Sequence, residues 1–546
     1  MEKIVVKSTC IVINNYHLGD CEELERTFRI YDMLTHKFYP LGMYYDKEEC
    51  KLYLPAGSDL WRIKRYFNEE YYDRVDPHPY KNIENIMMKF TPRDQDQYEA
   101  IKFTCGIDDY AENAYKSQLS VNLNTGKGKT FCSIATIAFF KIKSIIITGS
   151  HTLLNQWKGE IVKYTNIPEN KIVEINGSAD ITKIFSGKSS TFNNASIYLC
   201  THGTIRSYGE RFGWKRIGEL FEFLGIGIKF FDEAHTNFDC TLMIDFFTNV
   251  YKTIYLSATP ARSDRGEDRI YQISIKNVPK IDLFDENKDP RTSYVAIKWN
   301  SHPTPKQISA CKNKYGLDRM KYIDYVTSQP CFYDMMRIVM DLVIKCKGRV
   351  LMYIGTNEGI LRVYKWICTE YIEFIGDVGI FSSLVDGDMK MEEKKKKLLL
   401  STTKSAGLGE HIEGLKMTIL LAEPFKSAVL ARQTLGRTRD RNTMYVELVD
   451  LGFYYIKKFY NAKLPVFNKY ATDVSDTFID QYELRRRAQK IKEDRTPAEG
   501  VIRPIKFNDS RFDFKESKNA KIYKEEKSEE DSLFAKKFQI GKNPYL

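Results

Sequence analysis

Asn124-Thr125-Gly126-Lys127-Gly128-Lys129-Thr130 is the stretch that decides the fold. It lies between an apolar run, 118–123, that reads as a strand and a second run, 130–140, that reads as a helix. Glycines let successive backbone amides turn toward phosphate oxygens. A helix N-terminus adds partial positive charge at the same place. In this strand–loop–helix unit Thr125, Gly126, Lys127 and Gly128 would line a phosphate cradle. Lys129 would reach the β- and γ-phosphates of ATP, and Thr130 would ligate Mg²⁺. The fuller form of the pattern has glycine or alanine where this chain has Leu123. A glycine loop alone is weak evidence, so the reading depends on motifs further along the chain.

Phe231-Asp232-Glu233-Ala234-His235 ends another run, 226–231, that reads as a buried strand. Asp232 would meet the Mg²⁺ held by Thr130, and Glu233 would polarise the water that attacks the γ-phosphate. His235 would link the nucleotide site to a neighbouring domain. Ser257-Ala258-Thr259 ends the next strand, where the hydroxyls of Ser257 and Thr259 would bond to Asp232 or His235 and sense the γ-phosphate. Each motif alone is common. Their order along one chain is what carries the reading.

The frame around these motifs is large enough for several domains. The chain has 546 residues, 43% of them hydrophobic and 28% charged, with a formal net charge of +11. That composition excludes a wholly disordered chain, a disulfide-stapled small domain and a collagen-like fibre. The positive balance favours a polyanionic partner. The 11 cysteines form no CxxC pair and follow no regular spacing, which predicts reduced thiols and a cytoplasmic setting. No apolar run reaches the ~18 residues of a membrane span.

Four blocks succeed one another. Residues 1–88 are expected to form a small accessory domain, with a strand over 5–14, hairpin material over 38–54 and Trp61 packed in its core. Residues 89–275 alternate strand and helix in the rhythm of a parallel sheet covered by helices, and 276–455 repeat it. Strands are expected at 144–148 in the first repeat and at 349–354, 371–375 and 398–401 in the second, and the charge run 392–397 is expected to be the solvated face of a helix. Residues 456–546 are expected to be a helical extension with a charged tail. The predicted fold class is α/β, two tandem P-loop-type domains with an accessory domain and an extension.

Taken in order, these motifs resemble superfamily 2 helicases of the DExH-box type, over about residues 91–452. The resemblance implies two RecA-like domains and an ATPase driven by ATP and Mg²⁺. It implies that Gln97 reads adenine. It implies polynucleotide backbone contacts at Ser150, His151 and Gln156, at Thr201 and Thr204, and at Thr356, Thr402 and Thr403. Gly407-Leu408-Gly409-Glu410 resembles the glycine-rich motif shared between polynucleotide and nucleotide, which assigns Gly409 to the latter. Gln433-Thr434-Leu435-Gly436-Arg437 resembles the last helicase motif, with Gln433 in coupling and Arg437 approaching the γ-phosphate. The family's second arginine would fall on Asp440; Arg439 or Arg441 takes its place through a local shift, or Arg437 is the main finger.

Within the superfamily the resemblance is to phage UvsW-like branch-migration helicases and related viral enzymes. It implies an ATP-dependent helicase or translocase acting on duplex or branched DNA rather than RNA, working with replication, recombination or transcription proteins in the cytoplasm, that of the host cell if the chain is viral. The alternatives are a viral RNA helicase or transcript-release ATPase, and a weakly catalytic nucleic-acid-binding subunit. Lys51, Arg62, Lys64, Arg65 and the run Arg485-Arg486-Arg487 are basic candidates for phosphate contact, each equally readable as solvated surface.

Overall fold

The computed structural model describes residues 3–32, 37–123, 127–187, 189–257, 265–283, 292–314, 316–385, 387–406, 412–437 and 442–495. The chain divides into two compact units, Met1–Lys288 and Asp289–Leu546.

The main sheet of the first unit has seven strands: Gln118–Leu123, Ser144–Thr148, Ile172–Ile175, Ile197–Thr201, Ile228–Phe231, Lys252–Ser257 and Lys280–Leu283. Every pairing in it is parallel. Parallel strands are covered on both faces by their crossover helices, so they read as continuous apolar runs. Ser144-Ile145-Ile146-Ile147-Thr148 and Ile228-Lys229-Phe230-Phe231 are such runs, buried at every position.

The main sheet of the second unit also has seven parallel strands: Thr292–Trp299, Arg349–Ile354, Val378–Phe381, Leu398–Ser401, Leu415–Ala422, Thr443–Asp450 and Val474–Phe478. Numbered along the chain within each sheet, both sheets have the spatial order 3-4-2-5-6-1-7. The two halves are therefore the same RecA-like scaffold built twice in tandem, as the repeated βα rhythm predicts.

Each scaffold also buries a lysine–carboxylate pair whose second carboxylate oxygen accepts from a tyrosine hydroxyl. In the first, Lys229 Nζ lies 2.6 Å from Asp245 Oδ1, and the Tyr255 hydroxyl donates to Asp245 Oδ2 at 2.6 Å. In the second, Lys463 pairs with Glu447 Oε1 and the Tyr294 hydroxyl donates to Glu447 Oε2 at 2.6 Å. A buried charge persists only when paired and hydrogen-bonded, and each of these is.

A five-stranded sheet precedes the first scaffold, in the order Tyr44–Asp46, Lys51–Pro55, Cys10–Ile13, Ile4–Val6, Asp73–Arg74. The expected single strand over 5–14 is in fact two, because Lys7 N bonds back to Cys10 O and closes a turn. The Thr9 hydroxyl then donates to Asp245 O and Thr248 O, on the helix that comes after the Asp-Glu-Ala-His motif. Cys10, Val12, Ile30 and Tyr53 share an apolar cluster with Phe238, Leu242, Phe246, Ile270 and Tyr271. The accessory sheet is thus packed directly against the first scaffold.

Three sequence expectations are corrected. Trp61 does not pack the accessory core: it is 67% exposed. Its helix, Leu60–Tyr66, buries Ile63 alone, and two residues along a helix turn the side chain to the far side. Residues 371–375 do not form a strand; Ile372–Phe374 is a 3₁₀ turn, and the strand is Val378–Phe381. The charge run at 392–397 is not wholly solvated, because Glu393 is buried and accepts from Ile380 N at 2.9 Å.

Two strands lie on the far side of the sequence-based boundaries. Lys280–Leu283 pairs with Gln118–Leu123 in the first sheet, and Val474–Phe478 pairs with Thr292–Trp299 in the second. Among the described residues no helix is long and apolar enough to cross a membrane.

Candidate nucleotide site and nucleic-acid edge

The carboxyl ends of the strands in an open parallel sheet are where loops gather and ligands bind. In the first scaffold this edge brings together most of the residues singled out in the sequence. The helix Lys129–Phe140 starts directly after Gly128, which has a φ of +89°. A Cβ at Gly128 would lie 2.3 Å from Gln97 Nε2, so the glycine is required by close approach as well as by its backbone angle.

Gln97 is 4% exposed and is fixed at both ends of its amide. Nε2 donates to Lys127 O at 3.0 Å, and Oε1 accepts from Arg93 N at 3.0 Å. Lys127 Nζ reaches Asp96 Oδ2 at 3.0 Å. The helix Gln95–Cys105 therefore holds the back of the glycine loop, a role that sequence did not reveal.

Lys129 Nζ lies 2.6 Å from Glu233 Oε1. Glu233 itself has a φ of +51°, a left-handed turn just past the strand Ile228–Phe231. A non-glycine residue there is uncommon and marks a strained, specified turn. Ala234 N bonds to Leu256 O, tying the turn to the neighbouring strand. His235 Nδ1 lies 2.9 Å from the Ser257 hydroxyl and 3.5 Å from Glu233 Oε2. Ser257, His235, Glu233 and Lys129 thus form one continuous polar line. The expected bond from Ser257 goes to His235.

Asp232 sits beside this line. Its backbone N–H donates to Ile147 O at 2.9 Å, and its Oδ2 accepts from the Trp157 indole Nε1 at 2.9 Å. Burial pushes the Asp232 carboxyl above its usual range, opposed by the nearby Lys129 ammonium. Trp157 is a residue to which sequence reading gave no individual role; the signal was its place at the end of Leu153-Leu154-Asn155-Gln156-Trp157.

These residues fit a magnesium nucleotide. The helix start at Gly128–Lys129 offers amides and a cation to phosphate. Thr130 stands half-buried in the first turn of the same helix. Trp157 engages only Oδ2 of Asp232. The set thus holds a carboxylate and a hydroxyl, the oxygen ligands that a hard cation takes.

The expected backbone contacts share one local geometry. Ser150 caps the helix His151–Tyr164, Thr201 caps His202–Phe212 and Thr356 caps Asn357–Glu370. Thr402 accepts from Ser405 N in the same manner, at 3.1 Å. Each lies at the carboxyl end of a strand and sets a helix N-terminus at the sheet edge, a geometry able to take phosphate oxygens without base readout.

The remaining expected contacts vary. His151 is exposed, and Gln156 donates to Glu160 Oε1 at 3.3 Å. Thr204 is buried against Thr201, at 3.1 Å between hydroxyls. Thr403 donates from its hydroxyl to Glu423 Oε2 at 3.2 Å. Glu423 also binds Arg319, and neither was singled out in the sequence. Gln433 lies on the helix Ala428–Leu435, with Arg437 buried just beyond it.

Thr125, Gly126, Thr259, Gly409, Arg439 and Arg441 lie outside the described residues. Among the basic candidates, Lys51 pairs with Glu49 at 2.7 Å, and Arg486 and Arg487 both pair with Glu483 at 2.6 Å. Arg65 stacks its guanidinium over Trp61, 5.6 Å from the ring centre.

The doubled scaffold, with these motifs in this order along its edges, resembles the core of superfamily 2 helicases. Residues 83–262 match the family described as type III restriction enzyme, res subunit. Among curated proteins, the DNA 3'-5' translocase XPB2 of Sulfurisphaera tokodaii is 26% identical over 235 residues. That match covers 42% of this chain and 44% of the relative, so the chain spans less than half the length of the curated protein it matches.

Among solved structures, T4 UvsW is similar with a TM-score of 0.34 and 13% identity, covering 88% of this chain and 100% of that one. Dbp5 of S. cerevisiae, solved bound to RNA and ADP BeF3, has a TM-score of 0.47 and 14% identity, covering 73% of this chain and 97% of that one.

Proposed function

We propose that this chain is an ATP-dependent helicase or translocase that remodels duplex or branched DNA. The observation that carries the reading is the continuous set Lys129, Glu233, His235 and Ser257, with Asp232 beside it, on the same sheet edge as the helix caps Ser150 and Thr201. A phosphate-binding helix and polynucleotide-binding helix starts share one rigid scaffold. DNA is favoured over RNA because the curated relative is named a DNA translocase and the matching family is described by a restriction enzyme subunit.

Lys129 leaves Glu233 and neutralises the β- and γ-phosphates of ATP. Asp232 and Thr130 would hold Mg²⁺, which would supply charge neutralisation on the transferring phosphoryl group. Glu233, released from Lys129, accepts a proton from the attacking water and orients it. His235 and Ser257 keep Glu233 in its turn and carry its state to the adjoining strand. Gln97 holds the glycine loop against the helix start, and a contact to adenine exchanges one of its two backbone bonds. Preorganised charges of this kind supply most of the rate gain in phosphoryl transfer.

The helix caps bind phosphates along the strand, so affinity falls steeply with salt and weakly with sequence. The test is ATP hydrolysis measured without polynucleotide and with duplex, forked and four-way-junction DNA and RNA, with strand displacement read in parallel. Stimulation by DNA, strongest on branched or duplex forms, is expected. Stimulation by RNA alone overturns the DNA assignment, and no hydrolysis with any of them overturns the motor.

A further inference from the structure

Asp232 is tied twice to one segment of chain. Its backbone N–H bonds to Ile147 O in the strand Ser144–Thr148, and its Oδ2 accepts from Trp157 on the helix His151–Tyr164, each at 2.9 Å. Strand and helix meet at Gly149-Ser150, where Ser150 caps the helix by accepting from Leu153 N. One strand–turn–helix therefore fixes both the position of the Asp232 backbone and the rotation of its carboxylate.

The helix has two distinct ends of use. Leu153, Leu154, Trp157 and Ile161 form its buried face, with Trp157 at 2% exposure. Ser150 and the exposed His151 stand at its N-terminus on the sheet edge. An indole in an apolar face would satisfy burial alone, but a buried indole N–H needs an acceptor. Here the acceptor is the carboxylate proposed to hold Mg²⁺.

The corresponding place in the second scaffold differs. Glu423 comes after the fifth strand there as Asp232 comes after the fifth strand here, yet its partners are Arg319 and Thr403. Neither comes from the helix Asn357–Glu370 that succeeds the second strand. The link from second-strand helix to fifth-strand carboxylate belongs to the first scaffold.

We propose that Trp157 is a positioning residue that couples polynucleotide at the N-terminus of the helix His151–Tyr164 to the orientation of the Asp232 carboxylate. This rests on the DNA-motor reading and specifies how its two ligands communicate. Two arrangements are involved. With the indole N–H on Oδ2, the carboxylate is held in one rotamer and presents Oδ1. When the helix shifts and the bond is released, the carboxylate rotates and the metal position is lost. Phosphate held at the helix start favours the bonded arrangement. Reciprocity then requires a bound magnesium nucleotide to tighten polynucleotide binding by the same factor.

The test measures that factor directly in the full chain. Fluorescence anisotropy of a labelled forked DNA gives its affinity with and without a non-hydrolysable ATP analogue and Mg²⁺. The ratio cancels any general loss of affinity in a variant. The wild-type ratio is expected at about 5-fold or more, the lower end of ordinary coupling between sites. Trp157→Phe, which keeps a ring and removes the N–H, should bring the ratio close to one. Benzothienylalanine at position 157 keeps the bicyclic shape and also lacks the N–H, so it must give the same result if shape is not the cause.

A wild-type ratio retained by both variants overturns the inference. A ratio lost with Trp157→Phe but retained with benzothienylalanine also overturns it, because packing is then responsible. DNA-stimulated hydrolysis that persists beside a wild-type ratio of one removes the coupling and leaves the motor reading standing. Absence of DNA binding by the wild type removes both.

Discussion

The two sheets have one strand order and two different edges. In each, the second strand ends in a hydroxyl cap, Ser150 or Thr356, and so does the fourth, Thr201 or Thr402. In each, a carboxylate succeeds the fifth strand, Asp232 or Glu423. The first strand is where they part. Gln118–Leu123 leads into the glycine loop and Lys129, whereas Thr292–Trp299 leads into Asn300-Ser301-His302-Pro303, with neither glycine nor lysine.

Without a lysine-bearing loop beside it, the second carboxylate is neutralised from within its own fold. Arg319 and Thr403 occupy Glu423, while burial raises its pKa against the pull of that arginine. The lesson is that a shared scaffold fixes where polar groups gather, and the first-strand loop decides whether they serve nucleotide chemistry or hold the fold.

The largest expected effect strikes one edge only. Lys129→Ala should lower DNA-stimulated hydrolysis about 10²–10³-fold, the usual consequence of removing a preorganised charge from a transition state. Loss of less than tenfold in a steady-state assay breaks the division of labour between the sheets.

Acid sensitivity should also localise to the first sheet. His202 sits directly after Thr201, and its Nδ1 lies 2.9 Å from Thr148 O with Nε2 3.2 Å from the Thr241 hydroxyl. A carbonyl can only accept, so Nδ1 carries the proton and Nε2 accepts from Thr241. Burial pushes the His202 imidazole down from 6.5 to about 4. The folded state therefore holds it neutral while the unfolded chain takes up a proton. Its stability is complete above pH about 6.5 and falls as pH drops toward 4, by about 3 kcal/mol. Hydrogen exchange read by peptide across that range should show earlier acid loosening around 197–212 than around 398–406, and His202→Asn should remove the difference. Thr403 stands in the corresponding place and has no such titration.

Glu423→Gln should act on the second sheet as a structural change. Weakening its bonds to Arg319 and Thr403 should cost about 1–3 kcal/mol of stability. Chemical denaturation should show that loss while hydrolysis remains well above that of Lys129→Ala. Hydrolysis reduced to the Lys129→Ala level would place Glu423 in the chemistry.

The smallest effect should be shared by both edges. Ser150→Ala and Thr356→Ala each remove a helix cap and should each cost about 1 kcal/mol. Both should weaken DNA broadly across sequences in a binding titration. A change confined to one sequence context would mean base readout instead of phosphate contact.

Much of this architecture was legible because buried parallel strands announce themselves. Gln118–Leu123, Ser144–Thr148, Arg349–Ile354 and Leu398–Ser401 have the bounds read from sequence. The edge strands were not legible for the opposite reason. Val474-Ser475-Asp476-Thr477-Phe478 is exposed at every position and so carries no apolar pattern. Ile172–Ile175 buries only its two ends.

The motif residues were found by type and order, but their partners are set by folding. Nothing local in the sequence shows that Gln97 closes on Lys127 O or that Trp157 reaches Asp232, contacts that span 30 and 75 residues. Arg319 and Glu423, 104 residues apart, were missed in the same way, since each alone looks like a surface charge.

The claim that the first sheet holds the hydrolytic centre is tested most directly by Glu233→Gln, with turnover and nucleotide affinity measured on the same preparation. Glutamine keeps the size of the side chain and removes its ability to take a proton. The account predicts that DNA-stimulated turnover disappears while a fluorescent ATP analogue still binds. Turnover equal to that of the wild type, with binding intact, would contradict it.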